Sequence, residues 1–226
     1  MAQPEEKQCV DGDGAASCFP DGALSFVHIA DLHLGNTCWP TVKEKGYPSS
    51  DLIKAIRLDE IAAFIRKHRP DFLFVAGDLT EVHGGDPFSC DVMPYSRDLF
   101  SRVVAACESS GTSIVAVAGD HDPEVTVLRE YFPFVLEIGE IASINNVRIG
   151  GLGVRPHQEG ISADFERWRG ERLDFVLIHS DKIATSRFSD LGTTYVARGH
   201  LHKWKDCSSQ SLKSLHPGHL YTYWDG

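Results

Sequence analysis

Short apolar runs, each closed by a carboxylate, a glycine or an imidazole, alternate along this chain with stretches of helical period. Residues 25–30 (Ser-Phe-Val-His-Ile-Ala) read as a buried strand that Asp31 ends. Leu58, Ile61, Ala62 and Ile65 recur at i, i+3, i+4 and i+7, which predicts an amphipathic helix over about 51–68. Pro70 disfavours helical geometry at Arg69 and stops it. A second strand follows at 72–76 and runs into Gly77-Asp78. A second helix over about 95–109 leads to a third strand at 113–118 and then Gly119-Asp120. This β-α-β-α-β rhythm argues for parallel pairing. Asp122-Pro123-Glu124 predicts a further helix start, with Asp122 as N-cap and Pro123 in the first turn.

Beyond Phe134 the texture changes to short strands and tight turns. Strands are expected at 140–144, 147–151, 174–178, 194–197 and 219–223, with Asn145-Asn146 turning between the first two. A second sheet packed on the first follows, so the fold class is an α/β sandwich. The loops 34–50 and 79–94 are long for a compact domain, and such loops usually shape access to a site. Residues 1–24 are polar, acidic and rich in Gly, Pro and Asp, without the cationic start and apolar stretch of a secretory signal. They are expected to be a flexible leader, with residues 25–226 forming one domain.

Composition narrows the class. The chain has 226 residues, 42% hydrophobic and 24% charged, as in soluble globular domains, and no apolar run of about 18 residues that suggests a membrane span. Six cysteines (Cys9, Cys18, Cys38, Cys90, Cys107, Cys207) form no C-x-x-C pair, which points to reduced thiols and a cytoplasmic location. Net charge is −10, from 22 Lys and Arg against 32 Asp and Glu. That balance speaks against an extended duplex footprint.

The chemistry lies in five fragments that each follow a predicted strand: Asp31-Leu32-His33, Gly77-Asp78, Gly119-Asp120-His121-Asp122, Ile178-His179-Ser180 and Gly199-His200-Leu201-His202. Carboxylates and imidazoles suit divalent first-row metals, and strand ends are where α/β sheets gather their sites. A lone D-x-H pair arises by chance, and H-x-H is also the pattern of an exposed strand face. Five such fragments in order are harder to explain away. Asp31, His33, Asp78 and His202 are assigned to one ion, and Asp78, Asp120, His179 and His200 to the other, with Asp78 as the shared ligand. Such a pair activates water for attack on phosphorus. His121 is the candidate proton donor to the leaving oxygen, and Asp122 the carboxylate that orients it. Helix capping alone would also account for Asp122.

Other residues have plainer uses first. His28 reads as packed mid-strand, and His68 as a favourable end to its helix. His83, His157, His216 and His219 lie in loops or at their edges and are open to substrate contact. Arg155 and Lys203 are candidates for a non-reacting phosphate, with a solvated surface role as the alternative. Trp39, Tyr47 and Phe88 are loop-packing anchors or stacking partners for a base. The glycines at 150–153 form no phosphate-binding fingerprint.

The five fragments, in this order over about residues 25–224, resemble the calcineurin-like metallophosphoesterase family. Arg57-Leu58-Asp59-Glu60 ahead of residues 71–78, Gly199-His200-Leu201-His202-Lys203 and the later Pro217-Gly218 are similar to its SbcD-like DNA-repair exonuclease branch. The resemblance implies a four-layer α/β/β/α sandwich, cleavage of phosphodiesters with two divalent ions, Mn²⁺ before Fe or Zn, and the ligand roles above. Three features depart from it. Asp120 stands where the family usually has Asn, and His219 where the branch tends to carry a small polar residue. Only 24 residues follow His202, too few for the capping domain or ATPase-binding segment of the repair nucleases. The expected function is a dinuclear phosphoesterase acting on phosphodiester bonds in a phosphate-ester substrate, DNA or a nucleotide among the candidates, as a compact exonuclease. A small-molecule or cyclic-nucleotide phosphodiesterase or phosphatase is the alternative, and a non-catalytic scaffold of the same fold is the second.

Overall fold

The computed structural model describes residues 23–35, 50–82, 89–154 and 166–219. The expected leader, and Trp39, Tyr47, His83, Phe88, Arg155 and His157, lie almost wholly outside those residues.

Two sheets stack face to face. The first is wholly parallel in the order β1-β2-β3-β4, built from Phe26–Ile29, Phe72–Ala76, Ser113–Val117 and Val135–Leu136. Helices α1 (Ser50–His68), α2 (Ser89–Ser110) and α3 (Val125–Tyr131) connect or flank these strands. Strands buried along their whole length, such as Phe-Leu-Phe-Val-Ala in β2, need cover on both faces. One face of this sheet packs with the buried side of the helices, where Leu58, Ala62 and Ile65 of α1 meet Phe100 and Val103 of α2 and Leu73 and Val75 of β2. Arg102 of α2 reaches Asp59 of α1 at 2.7 Å across the exposed seam.

The second sheet is mixed, in the order β5-β6-β7-β8-β10-β9: Ile141–Ile144, Val147–Leu152, Phe175–His179, Tyr195–Gly199, Lys213–Pro217 and Trp204–Asp206. Between the sheets Phe26, Phe74, Phe175 and Tyr195 form an aromatic layer, with Phe74 and Phe175 ring centroids 5.1 Å apart. Burying each such ring contributes about 1.5–3 kcal/mol. The outer face of the second sheet is covered by Trp168 and by Phe188 and Leu191, carried on short 3₁₀ helices at Glu166–Trp168 and Thr185–Leu191. The architecture is the expected α/β/β/α sandwich, its fourth layer made of 3₁₀ turns.

Several local expectations shift. Helix α2 begins at Ser89 and carries Pro94 inside it, so the loop after β2 is shorter than anticipated. Helix α3 starts at Val125 with Glu124 as its cap, because the carboxylate of Asp122 is drawn into the core by other partners. A strand that was not expected, β10, runs over Lys213–Pro217, and of the final expected strand, 219–223, residues 220–223 lie outside the described residues. β9 is short and exposed at every position, so no alternation marked it. Cys107 and Cys207 are free thiols, and among the described residues no helix is long and apolar enough to cross a membrane.

Candidate metal centre

Every fragment singled out in the sequence leaves the carboxyl end of a strand: Asp31 and His33 after β1, Asp78 after β2, Asp120 and His121 after β3, His179 at the end of β7, and His200 and His202 after β8. Parallel pairing of β1 with β2, and of β7 with β8, brings these ends to one edge of the sandwich. The loops are stitched by backbone bonds. Asp31 N–H donates to the Gly77 carbonyl at 3.1 Å, and His33 N–H to that of Asp78 at 2.9 Å. Asp31, His33, Asp78 and His200 all have positive φ, between 46° and 87°. Such backbone costs a non-glycine residue on the order of 1 kcal/mol and persists where the surroundings over-determine it. Gly199 permits the two sheets to meet here. A Cβ on it would lie 1.8 Å from the Ala76 carbonyl oxygen and 2.6 Å from His179 Nδ1.

The side chains then converge. His33 Nε2 and His202 Nε2 face each other at 3.0 Å, the approach of two imidazoles aimed at one point. Asp78 Oδ2 lies 3.5 Å from His33 Nε2 and 3.3 Å from His179 Nε2, so one carboxylate oxygen stands between the two halves. Its other oxygen accepts the His121 N–H at 2.9 Å. On the second side Asp120 Oδ1 is 3.0 Å from His179 Nε2 and 3.2 Å from His200 Nδ1. His179 Nδ1 donates to the Ala76 carbonyl at 2.9 Å, which leaves Nε2 as the nitrogen available to a metal. Asp31 Oδ1 accepts the His200 N–H at 2.9 Å, while Oδ2 is buried with no hydrogen-bond partner among the described residues. A buried carboxylate oxygen left bare at a cluster of imidazoles fits a cation as its partner. Among the described residues the donors form three groups, Asp31–His33–Asp78–His202, Asp120–His179–His200 and His33–Glu81–His121, each with candidate ligand atoms within 4.8 Å of one another.

Electrostatics points the same way. Burial pushes the Asp31 carboxyl up to about 6, against the pull of His179 and with the neighbouring charge of Asp78 adding to it. Burial also opposes the charge on Asp78, but His179, His33 and His121 together hold it below the usual carboxylate range. Hydrogen bonds from His179 and His200 hold Asp120 low. Burial disfavours the His179 cation, yet Asp78 and Asp120 raise it well above an ordinary imidazole. A field that favours positive charge on a fully buried histidine is one that attracts metal cations. Exposure is graded: Asp31, His33, Asp78 and His179 are buried, whereas Asp120 and His200 form a rim open to solvent.

His121 and Asp122 part company. The four oxygen contacts of Asp122 go elsewhere: Oδ1 accepts the Thr80 N–H at 2.7 Å and its hydroxyl at 2.8 Å, and Oδ2 accepts Leu79 N–H at 3.1 Å and Gly119 N–H at 2.9 Å. Asp122 therefore ties the loop after β2 to the loop after β3, and the orienting contact expected from it is made by Glu81. Glu81 Oε1 is 3.0 Å from His121 Nδ1. Its Oε2 stands 2.6 Å from His33 Nδ1. Burial lowers the His121 imidazole, but its bond to Glu81 and the charges of Asp78, Glu81 and Asp120 raise it to about 9.

Glu81 escaped the sequence reading because it stands three residues past Asp78 in a segment without strand or helix period. Lys54 was missed too. It is fully buried on α1, and its ammonium donates to the His33 carbonyl. Its position four residues before Leu58, on the apolar stripe, was the available signal. His28 sits within β1 with Nδ1 3.0 Å from the Tyr195 hydroxyl, and His216 is buried in β10. His219 touches the His202 carbonyl through Nδ1.

Comparison with known proteins is consistent with this geometry. The family model described as calcineurin-like phosphoesterase matches residues 24–204. A subunit of the nuclease SbcCD from Escherichia coli K12 is 28% identical over 104 residues, 46% of this chain and 22% of that protein, so the chain aligns with about a fifth of the length of this relative. Among solved structures, the Thermus thermophilus protein TT1561 superposes with a TM-score of 0.55 at 11% identity, covering 74% of this chain and 85% of that one. A dimetal phosphatase from Danio rerio superposes with a TM-score of 0.50 at 12% identity, covering 87% and 88%. At those identities the two structures establish the shared fold.

Proposed function

Since this chain belongs to the calcineurin-like phosphoesterase family, we propose that it is a dinuclear, Mn²⁺-dependent phosphodiesterase of compact nuclease type. The observation that carries the reading is Asp78 Oδ2, placed 3.5 Å from His33 and 3.3 Å from His179, where one oxygen can serve two ions. Asp31, His33, Asp78 and His202 would hold one ion, and Asp78, Asp120, His179 and His200 the other. Ions bound there supply Lewis acidity to the phosphoryl group and lower the pKa of water. The chain itself positions and moves the proton. Glu81 holds His121 through Nδ1 and favours its protonated form. The remaining nitrogen, Nε2, lies 3.9 Å from Asp120 Oδ2 at the open rim, where it protonates the leaving oxygen as the P–O bond breaks. Free thiols at Cys107 and Cys207 suit a reducing cytoplasm.

The stretch similar to the SbcCD nuclease supports cleavage of nucleic-acid ends or short strands over the phosphatase reading. A net charge of −10 favours the second reading, a small-molecule phosphodiesterase or phosphatase, because long duplexes are repelled. The test is one parallel assay with Mn²⁺ on bis-p-nitrophenyl phosphate, p-nitrophenyl phosphate, 2′,3′-cyclic AMP and short single-stranded DNA. Cleavage of DNA and of the diester is expected, with loss on Asp78→Asn. Turnover of small esters alone selects the second reading. Silence on all four substrates with metal bound overturns both.

A further inference from the structure

The rim of the metal centre continues into a short basic hairpin that the proposed chemistry does not use. Residues 202–206 are all exposed, and they run from His202 through Lys203 and Lys205 along edge strand β9. Trp204, between the two lysines, is 67% exposed, more than any other large apolar side chain among the described residues. An indole in water forfeits the burial that normally accounts for keeping so large an apolar ring. Register shows where it faces. Trp204 pairs with Pro217 on β10, and strand alternation puts Pro217 on the same side as Leu215, which packs toward the first sheet. The backbone beneath it is tightly held. A Cβ on Gly218 (φ +78°) would lie 3.1 Å from Trp204 N, so the turn after β10 presses against the start of β9.

The surroundings state what such a ring would meet. Lys203 precedes it in the bend that leads from His202, and Lys213, exposed on β10, shares its side by the alternation that also places Leu215 and Pro217 there, whereas Lys205 turns to the opposite face; Lys203 and Lys213 are the nearby cations on a chain of net charge −10. Asp206, the acid on this strand, accepts the Ser208 N–H at 2.8 Å. Toward the metal site the rings continue: His219 lies 5.2 Å from His202, centroid to centroid, and holds the His202 carbonyl through Nδ1. Flat π-faces interleaved with cations are the surface that binds single-stranded nucleic acid, with bases on the rings and phosphates on the lysines. We infer that the β9–β10 hairpin is a base-stacking platform, on which Trp204 receives the nucleobase next to the scissile phosphodiester while Lys203 and Lys213 take neighbouring phosphates. The inference rests on the phosphodiesterase reading and names its substrate as a single-stranded, base-bearing phosphodiester.

The test is fluorescence anisotropy of a labelled thymidine hexanucleotide with phosphorothioate linkages, titrated with the full Mn²⁺-loaded chain. Trp204→Ala is expected to weaken binding roughly tenfold, and Trp204→Phe to recover most of that loss because the ring returns. Lys203→Ala with Lys213→Ala should lower the slope of log K against log salt by roughly one unit. Denaturation midpoint and Mn²⁺ affinity should not change in any of the three. Parent-like binding by Trp204→Ala, or a parent that hydrolyses phosphodiesters but does not bind the oligonucleotide, overturns the platform. A parent that binds through Trp204 yet hydrolyses no ester leaves the platform standing and removes the enzymatic reading.

Discussion

Replacing Asp122 by alanine separates a structural carboxylate from a catalytic one. The side chain is wholly buried, and its two oxygens receive three backbone N–H groups, of Leu79, Thr80 and Gly119, plus the Thr80 hydroxyl. Leaving three buried amides unsatisfied costs about 1–3 kcal/mol each, or roughly 6 kcal/mol together. An opposing term follows from the carboxyl itself, which burial pushes up to about 6, with Asp78 adding to the shift. At neutral pH the ionised form is therefore held at a cost of about 3 kcal/mol, which alanine relieves. The net expectation is a loss of about 3 kcal/mol, read as a lower urea midpoint at constant m in the presence of EDTA. Mn²⁺ affinity should fall as well, because the loops bearing Asp78 and Asp120 lose their tie. Glu81→Gln should behave oppositely: a stability change within about 1 kcal/mol, but turnover reduced tenfold to a hundredfold through loss of the carboxylate that holds His33 and His121. An Asp122→Ala chain as stable as the parent, with activity alone abolished, would refute the reasoning and restore Asp122 as the partner of His121.

Gly199→Ala should unfold readily or lose metal affinity, since its Cβ meets the Ala76 carbonyl at 1.8 Å and the sheets must separate; a parent-like urea midpoint with intact Mn²⁺ binding by calorimetry would contradict this. Asp120→Asn removes a charge 3.0 Å from His179 and is expected to weaken Mn²⁺ binding on the order of tenfold; tighter binding by the Asn form would reverse the argument. Burial, and next the charge of His216, lowers the His28 pKa to about 3, so the fold favours its neutral form. That stabilisation is complete above the unfolded pKa near 6.5 and is lost as pH falls toward 3, by up to about 2 kcal/mol between pH 7 and pH 5. Urea midpoints of the parent and His28→Leu, both in EDTA, should converge over that interval; parallel pH slopes would count against it.

The chain announced its candidate ligands because they obey local rules. Asp31, Asp78, Asp120, His179 and His200 each follow an apolar strand, and a period of two or of 3.6 is visible without any partner. Alternation and helical period likewise marked α1, β2, β3 and β7 close to their observed limits. Where the local signal was weak or dual, tertiary contacts decided. Asp122 has the sequence of a helix cap, yet amides on the loop after β2, about 40 residues away in sequence, capture it. Glu81 lies in a stretch with no period, and only the meeting of the β1, β2 and β3 loops sets it between two imidazoles. β9 has no buried face to write into its sequence, so its place as an edge strand follows from pairing with β10 alone. Periodicity records which side of an element is dry; which carboxylate reaches which histidine depends on distances between segments far apart in the chain, and those exist only once the two sheets have closed on each other.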